Sequence, residues 1–191
     1  MALFTLKEAR SNGYLEVFAQ AIIPVDAFCA TEFKTLGLVI DHISTINHQP
    51  GFAKAPCTWI AVNGTPIEKW CAEAFAYPDA ITLGLAQMWL VDEDEDRLAY
   101  SRLTPGEENS STIVPILVCS DDMDLSCTVI VVEQLISNQT VQWLRWGFSA
   151  SWGMEVGIST KWERSQKTPL AIFEREEFEA CVRNFNRSSS D

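Results

Sequence analysis

The chain has 191 residues, 47% of them hydrophobic and 21% charged, which is the composition of an ordinary soluble globular domain. It carries 14 Lys and Arg residues against 26 Asp and Glu residues, for a formal net charge of −12. This balance argues against nucleic-acid binding, which requires a basic surface that displaces counterions from phosphates, and against docking on anionic lipid.

The excess negative charge is concentrated in one short segment. Residues 92–124 contain 10 acidic and 2 basic side chains, whereas the regions on either side are much closer to neutral. The acids include the run Asp92, Glu93, Asp94, Glu95 and Asp96, and later Asp121, Asp122 and Asp124. We therefore expect the acidic character to belong to one surface of the molecule.

The length predicts one globular domain at residues 1–185 and a disordered tail at 186–191. Lys7 and Glu8 interrupt the apolar N-terminus, so it does not resemble a signal peptide, and Asp121 interrupts the most apolar stretch, which excludes a membrane span there. We expect a cytoplasmic protein whose six cysteines are reduced and mostly buried.

The N-terminal third predicts a hairpin, an ambiguous segment and a strand. Residues 3–9 and 14–23 flank the turn signal Ser11-Asn12-Gly13 and form the predicted hairpin. Residues 26–47 show helical spacing of apolar residues, but Gly37 and several β-branched residues leave helix and strand both open. A short strand is predicted at 57–62.

The tetrapeptide Thr65-Pro66-Ile67-Glu68 predicts the start of a helix. Thr65 and Glu68 can cap each other's amides, and Pro66 suits the first helical position. The residues that follow place apolar side chains on one helical face at Ile67, Trp70, Cys71, Ala74 and Phe75. Pro78 ends the pattern.

The remaining sequence predicts a series of strands and a final helix. Ile81–Val91 and Arg97–Leu103 are predicted strands joined by a turn at Asp92–Asp96. Further strands are predicted at Thr112–Cys119, Cys127–Ile136, Val141–Phe148, Met154–Trp162 and Leu170–Phe173. Pro115 indicates an edge position or a bulge in its strand. Phe178, Cys181, Val182 and Phe185 predict a helix over Glu174–Phe185.

These elements predict an α+β fold, in which at least two helices pack on one face of a predominantly antiparallel sheet with meander topology. Successive turns of a meander alternate between the two ends of the sheet. The turns at 92–96 and 120–125 are then expected at the same end, where their eight carboxylates would form one acidic rim.

The sequence contains no recognisable catalytic motif. His42 or His48 could activate Cys29 or Cys57 as a nucleophile, but a histidine with solvent or backbone partners is the simpler interpretation. No cofactor is predicted, and no metal site follows from the cysteine spacing, since there is no Cys-x-x-Cys pair. A loose divalent-cation site shared by the two acidic turns is an open alternative. It would not be an EF-hand, because a loop that starts at Asp92 would have Arg97 where the EF-hand requires glycine.

Aromatic residues near the C-terminus form a second candidate surface. On a regular strand Trp146 and Phe148 would face the core, whereas Trp143 and Arg145 would face the other side. Trp and Arg are enriched at binding hot spots, so Trp143, Arg145 and Trp152 are candidate contacts for a ligand or partner.

Together these features favour a non-enzymatic interaction protein whose acidic surface binds a basic protein. The most concrete version is a bacterial inhibitor that neutralises a toxin, as nuclease immunity proteins do, with the acidic residues and Trp143, Arg145 and Trp152 at the interface. The alternative is a small enzyme or ligand-binding module that uses the aromatic C-terminal sheet surface. A homo-oligomer that buries exposed Trp side chains is a third hypothesis.

Overall fold

Two antiparallel sheets form the framework of the protein in a computed structural model that describes residues 39–163 and 168–188. The smaller sheet contains β1 (Ile43–His48), β2 (Cys57–Val62) and β3 (Thr65–Pro66). The larger sheet contains β4 (Gly84–Leu85), β5 (Ser111–Val118), β6 (Val129–Ile136), β7 (Thr140–Ser149), β8 (Thr160–Trp162) and β9 (Ala171–Glu174). The predicted α+β class with a mainly antiparallel sheet is confirmed.

The helices are α1 (Ile67–Ala74), α2 (Ala86–Trp89), α3 (Glu93–Leu103) and α4 (Arg175–Ser188), with 3-10 turns at Pro78–Thr82 and Gly153–Glu155. In the larger sheet the strand order is β4-β5-β6-β7-β8, and β9 pairs with the other end of β7. Within the described ranges no helix is both long and apolar enough to cross a membrane. The predicted hairpin at 3–9 and 14–23 lies outside the described residues.

The ambiguous segment 26–47 ends in a strand. Its last residues belong to β1, which pairs with β2 so that Ile43 lies opposite Val62 and His48 opposite Cys57. A tight turn at Asn63-Gly64, with positive φ at both residues, then leads into β3. Residues 26–38 lie outside the described part of the chain.

Helix α1 forms where it was predicted, but its capping box does not. Pro66 precedes the first helical residue, and no side chain caps the N-terminus. The backbone of Thr65 pairs with Val62 in the sheet, and the Glu68 carboxylate turns inward instead of back to Thr65. Two side-chain donors, described below, satisfy that buried carboxylate, so the helix starts without the predicted cap.

The prediction of two strands around an acidic turn at 81–103 is wrong. This segment forms a 3-10 turn, the two-residue strand β4 and helices α2 and α3. Asp92 caps α3, and four acids occupy its first turn, where negative charge stabilises the positive end of the helix dipole. Ala99 and Leu103, four residues apart, are both buried.

A β-bulge in β7 changes which aromatic side chains share a face. Glu133 lies opposite Arg145 and Gln134 lies opposite Trp143, so Leu144 has no partner in the ladder. The extra residue brings Trp143 onto the same face as Trp146. Trp143 is therefore 0% exposed, which corrects the expectation that it lies on the surface with Arg145.

The face that carries both indoles is covered by α1 and α4. Trp143 contacts Trp70 of α1, Phe173 of β9 and Phe178 of α4, with ring centroids 5.7, 4.9 and 6.2 Å away. The four residues that predicted α4 are all buried in the same core. The helix continues to Ser188, beyond the predicted end at Phe185, and 189–191 lie outside the described residues.

Helix α3 packs along the edge of β5. Strand β4 pairs with Leu117 and Val118 alone. Farther along β5, the carbonyl of Pro115 accepts a hydrogen bond from the side chain of Gln87 at 2.7 Å, and the Arg102 guanidinium contacts the carbonyl of Ile113 at 3.5 Å. These side chains donate to backbone carbonyls on the part of the β5 edge that no strand covers within the described residues. The register also shifts between Pro115 and Leu117, in accordance with the predicted bulge.

Substitution of the buried indole tests this arrangement. We expect Trp143→Ala to lower the free energy of unfolding by about 3–5 kcal/mol, the range for an aromatic side chain removed from a core. The Gln134 side chain, which accepts from Trp143 Nε1 at 3.1 Å, would also lose its partner.

The matched control is Trp152→Ala, because Trp152 is 70% exposed and should change stability by less than about 0.5 kcal/mol. Urea unfolding followed by circular dichroism gives both values. Equal effects of the two substitutions would contradict the bulge and the burial of Trp143.

Candidate functional site

The two acidic segments lie side by side at one corner of the fold. The backbone amide of Val91 donates to the carbonyl of Met123 at 3.1 Å, and the amide of Leu125 donates to Glu95 Oε2 at 2.9 Å. The two segments lie together as a meander would predict, but not as two turns of one, since residues 93–103 form a helix. Packing of α3 beside the loop between β5 and β6 brings them together instead.

Part of the acidic run stabilises α3 directly. Asp92 Oδ1 accepts hydrogen bonds from the amides of Asp94 and Glu95 at 2.9 and 3.0 Å. Asp94 pairs with Arg97 one turn later, and burial raises the pKa of the Asp96 carboxyl above its usual value. The carboxylates of Asp92 and Asp94 therefore stabilise the helix whether or not they meet a partner.

The loop between β5 and β6 is shaped by its own side chains. Asp124 Oδ1 accepts from the amide and the hydroxyl of Ser126 at 2.8 and 2.7 Å. Met123 adopts a left-handed conformation with φ of 54°, which reverses the chain. Trp89 Nε1 donates to the carbonyl of Ser120 at 3.2 Å and attaches the loop to α2.

Three carboxylates of the predicted set, those of Glu93, Asp96 and Asp121, have no side-chain hydrogen bond or ion pair among the described residues. Glu93 and Asp121 are both exposed, one at the start of α3 and the other in the loop. Asp92, Asp94 and Asp122 are exposed as well, whereas Glu95, Asp96 and Asp124 are half-buried. The eight predicted acids therefore differ in exposure and in their contacts. Glu93 and Asp121 are the two that are exposed and whose side chains form no hydrogen bond or ion pair within the described residues.

An exposed apolar segment borders these acids. The amide of Gly153 donates to the carbonyl of Leu125 at 3.0 Å, so the 150–159 loop is attached to the same corner. Trp152 and Met154, on either side of Gly153, are 70% and 54% exposed. We call the eight acids and these two apolar side chains the acidic surface; its members are Asp92, Glu93, Asp94, Glu95, Asp96, Asp121, Asp122, Asp124, Trp152 and Met154.

Trp143 and Arg145 do not belong to the acidic surface. Trp143 lies in the core, and Trp146 is stacked on Phe75 with ring centroids 4.6 Å apart, so neither indole forms an open platform. Arg145 Nε donates to Glu133 Oε2 at 2.6 Å, and its guanidinium lies 4.1 Å from the centroid of the Trp162 ring. Its charge is therefore already paired within the chain.

The histidines have partners that do not create a nucleophile. The buried Glu68 carboxylate accepts from Trp59 Nε1 at 2.7 Å and lies 2.8 Å from His48 Nε2. The Cys57 thiol points to the carbonyl of His48, and burial together with the charge of Glu68 raises the pKa of that thiol. A raised pKa disfavours the thiolate. His42 Nδ1 lies 3.3 Å from Glu177 on the surface, and Cys29 lies outside the described residues.

A cluster of two thiols and a carboxylate lies within the β5–β6 loop. The side-chain ligand atoms of Cys119, Asp122 and Cys127 are all within 4.8 Å of one another. Within the described ranges, three close metal-ligand atoms are found here and not among the carboxylates of Asp92–Asp96. Hydrogen bonds from Cys127 and Cys119 lower the pKa of Asp122, and the same bond to Asp122 raises the pKa of Cys127.

The sequence contained a signal for this cluster. Cys119 and Cys127 flank an acidic turn between two strands, and the ends of adjacent antiparallel strands lie close together; the register places Cys119 beside Thr128, the neighbour of Cys127. Spacing rules for zinc motifs do not include this separation. Of the described cysteines, Cys71 and Cys181 are buried, Cys57 and Cys119 are half-buried and Cys127 is exposed, so the expectation that most are buried is wrong for this part of the chain.

Comparison with known proteins does not identify a family. No protein-family model matches the chain, and neither the curated proteins nor the solved structures include a match.

Substitution of Asp92 separates the structural role of the acidic run from any binding role. Asp92→Ala removes the helix cap and is expected to lower the free energy of unfolding by about 1 kcal/mol. Asp92→Asn keeps a capping side chain and should remain within a few tenths of a kcal/mol of the wild type. Thermal or urea unfolding measures both. If Asn were as destabilising as Ala, the charge and not the cap would be what stabilises α3.

Alkylation kinetics test the contact between Asp122 and Cys127. Because the carboxylate raises the pKa of Cys127, Asp122→Asn should bring that pKa down towards its ordinary value and increase the thiolate fraction at pH 8. We expect faster reaction of Cys127 with iodoacetamide, followed by peptide mass spectrometry in the presence of a chelator. Cys181 is the slow internal reference, since burial raises its pKa to about 12. An unchanged or slower rate at Cys127 would refute the contact.

Proposed function

We propose that this protein is a non-enzymatic interaction protein that binds a basic protein through the acidic surface. The observation that carries the proposal is the convergence of three chain segments at Leu125, whose amide donates to Glu95 and whose carbonyl accepts from Gly153. This convergence places carboxylates of α3 and of the β5–β6 loop beside the exposed side chains of Trp152 and Met154.

Charge supports a basic partner. Glu93 and Asp121 have no side-chain partner within the described residues, and Asp92 and Asp122 are also exposed. Clustered like charges create a field that speeds encounter with a molecule of opposite charge and repels acidic competitors. A partner with a Lys- or Arg-rich face would relieve the repulsion among these carboxylates.

The exposed apolar side chains of Trp152 and Met154 can supply binding affinity that the carboxylates alone do not. Exposed ion pairs contribute little affinity, whereas a Trp that inserts into a partner's pocket is a typical hot spot. Trp152 is 70% exposed and stands on a loop held by backbone hydrogen bonds to Leu125 and Ser159, so it is presented on a defined support. We assign Trp152 as the anchor and the carboxylates as the surrounding polar rim.

The most specific form of this proposal is an immunity-type inhibitor that covers the basic active site of a bacterial toxin, in the cytoplasm where its thiols stay reduced. A nucleic-acid-cleaving toxin needs a basic cleft for its substrate, and a rim of carboxylates around one aromatic anchor is complementary to such a cleft. The support for this version is charge, size and the chemistry of the surface.

Affinity purification with matched variants tests the proposal. The chain is immobilised and exposed to an extract of the organism that produces it, with Glu93→Gln/Asp121→Asn and Trp152→Ala as test variants. We expect a basic protein to be retained by the wild type, and Trp152→Ala to weaken binding by at least about 2 kcal/mol, roughly 30-fold in Kd. Raising the ionic strength from about 0.05 M to about 0.5 M should weaken binding further.

The control is Glu174→Gln/Glu176→Gln, which removes the same number of charges at the opposite end of β7, where Glu174 pairs with Thr140. The proposal would be refuted if neither added salt nor the test variants weakened binding. It would also be refuted if the control variant weakened binding as much as the test variants do. Sedimentation of the purified chain at several concentrations distinguishes loss of a partner from loss of self-association through Trp152.

A further inference from the structure

The β5–β6 hairpin brings two thiols together at the ends of adjacent strands. Cys119 directly follows Val118, which lies opposite Val129 in the ladder, and the amide of Cys119 donates to the carbonyl of Thr128 at 3.0 Å. Cys127 precedes Thr128 on the other strand. The two cysteines therefore close the stem of the loop, and the rigid sheet sets the separation of their backbones.

The loop then folds a carboxylate over this stem. The amide of Met123 donates to the carbonyl of Cys119 at 3.2 Å, and the left-handed conformation of Met123 completes the reversal. Asp122 directly precedes this reversal, and its carboxylate lies within 4.8 Å of both thiols. One carboxylate and two thiols thus face one another.

The spacing of these atoms is close to that of a metal site. The three ligand atoms lie within 4.8 Å of one another. In a tetrahedral zinc site with Zn–S of about 2.3 Å and Zn–O of about 2.1 Å, neighbouring ligand atoms are roughly 3.7 Å apart. Side-chain rotations that close the cluster by about 1 Å would reach that geometry, and the partly exposed thiols have room for them.

We propose that Cys119, Asp122 and Cys127 bind zinc or a similar thiophilic divalent cation, with water in the fourth position. On binding, the cation displaces the two thiol protons to solvent, so that both sulfurs bind as thiolates beside the Asp122 carboxylate. Two thiolates favour zinc over calcium and magnesium, which prefer an all-oxygen set. Asp121 and Asp124, on either side of the site, add negative charge that attracts a cation.

This inference goes beyond the proposed function and does not depend on it, because metal binding is measured on the isolated chain without a partner. Metal and partner assays can therefore fail separately. The two would interact, however, since a bound cation would cancel part of the negative charge of the β5–β6 loop.

Cobalt titration of the full chain, kept reduced and freed of metal by chelation, tests the site. We expect one equivalent of Co²⁺ to produce the near-ultraviolet thiolate-to-cobalt charge-transfer absorption, and Zn²⁺ to abolish it by displacement, while excess Mg²⁺ has no effect. Cys119→Ser and Cys127→Ser should each weaken zinc binding by more than the roughly 10–100-fold that loss of an outer-shell partner produces. Asp122→Asn should weaken it to a smaller extent.

Cys57→Ser is the matched control, because Cys57 is also half-buried but its thiol points to the carbonyl of His48 in the smaller sheet. Absence of the charge-transfer band, its persistence in both Cys119→Ser and Cys127→Ser, or its equal loss in Cys57→Ser would overturn the proposal.

A measurement on the wild-type chain covers the case in which a variant fails to fold. Zinc should slow alkylation of Cys119 and Cys127 by iodoacetamide at least about tenfold and leave Cys57 unaffected, as read by peptide mass spectrometry. Equal rates with and without zinc at the two loop cysteines would overturn the proposal independently of the variants.

Discussion

The extra residue at Leu144 in β7 is the constraint on which the packing of this protein depends. Without it, Trp143 and Trp146 would lie on opposite faces of the sheet, and one indole would be withdrawn from the core. With it, both indoles lie beneath α1 and α4, and the face lined by Glu133, Arg145 and Trp162 is left to the second, smaller cluster. One local irregularity thus assigns the aromatic residues to the two sides of the sheet.

The acidic run contains carboxylates that hold the fold together and carboxylates that are left exposed. Asp92 and Glu95 use their carboxylates to start α3 and to attach the β5–β6 loop, whereas the side chains of Glu93 and Asp121 form no hydrogen bond or ion pair within the described part of the chain. The net charge of the segment does not distinguish these two groups of carboxylates. Their hydrogen bonds separate those that fold the protein from those that are free to meet another molecule.

Local patterns predicted much of this fold, and the failures have physical causes. Apolar periodicity located α1, α4 and most strands of the larger sheet, because each of these elements buries a regular stripe. Asp92 and Glu95 have the Asp-x-x-Glu spacing of a helix start, but the density of acids in this run favours a turn in a sequence-based prediction. The bulge at Leu144 depends on the register with β6, and the Cys119–Asp122–Cys127 cluster depends on a loop reversal, so neither is a property of sequence spacing alone.

The side-chain contacts along β5 also bear on how the molecule avoids aggregation. An uncovered strand edge is a template for pairing with another chain, and here Gln87 and Arg102 occupy carbonyls of β5 beyond its short pairing with β4. Arg102 belongs to α3, whose first turn Asp92 caps. Partial melting of that helix would uncover an apolar strand, so the charged start of α3 protects this strand against edge-to-edge pairing as well as stabilising a helix.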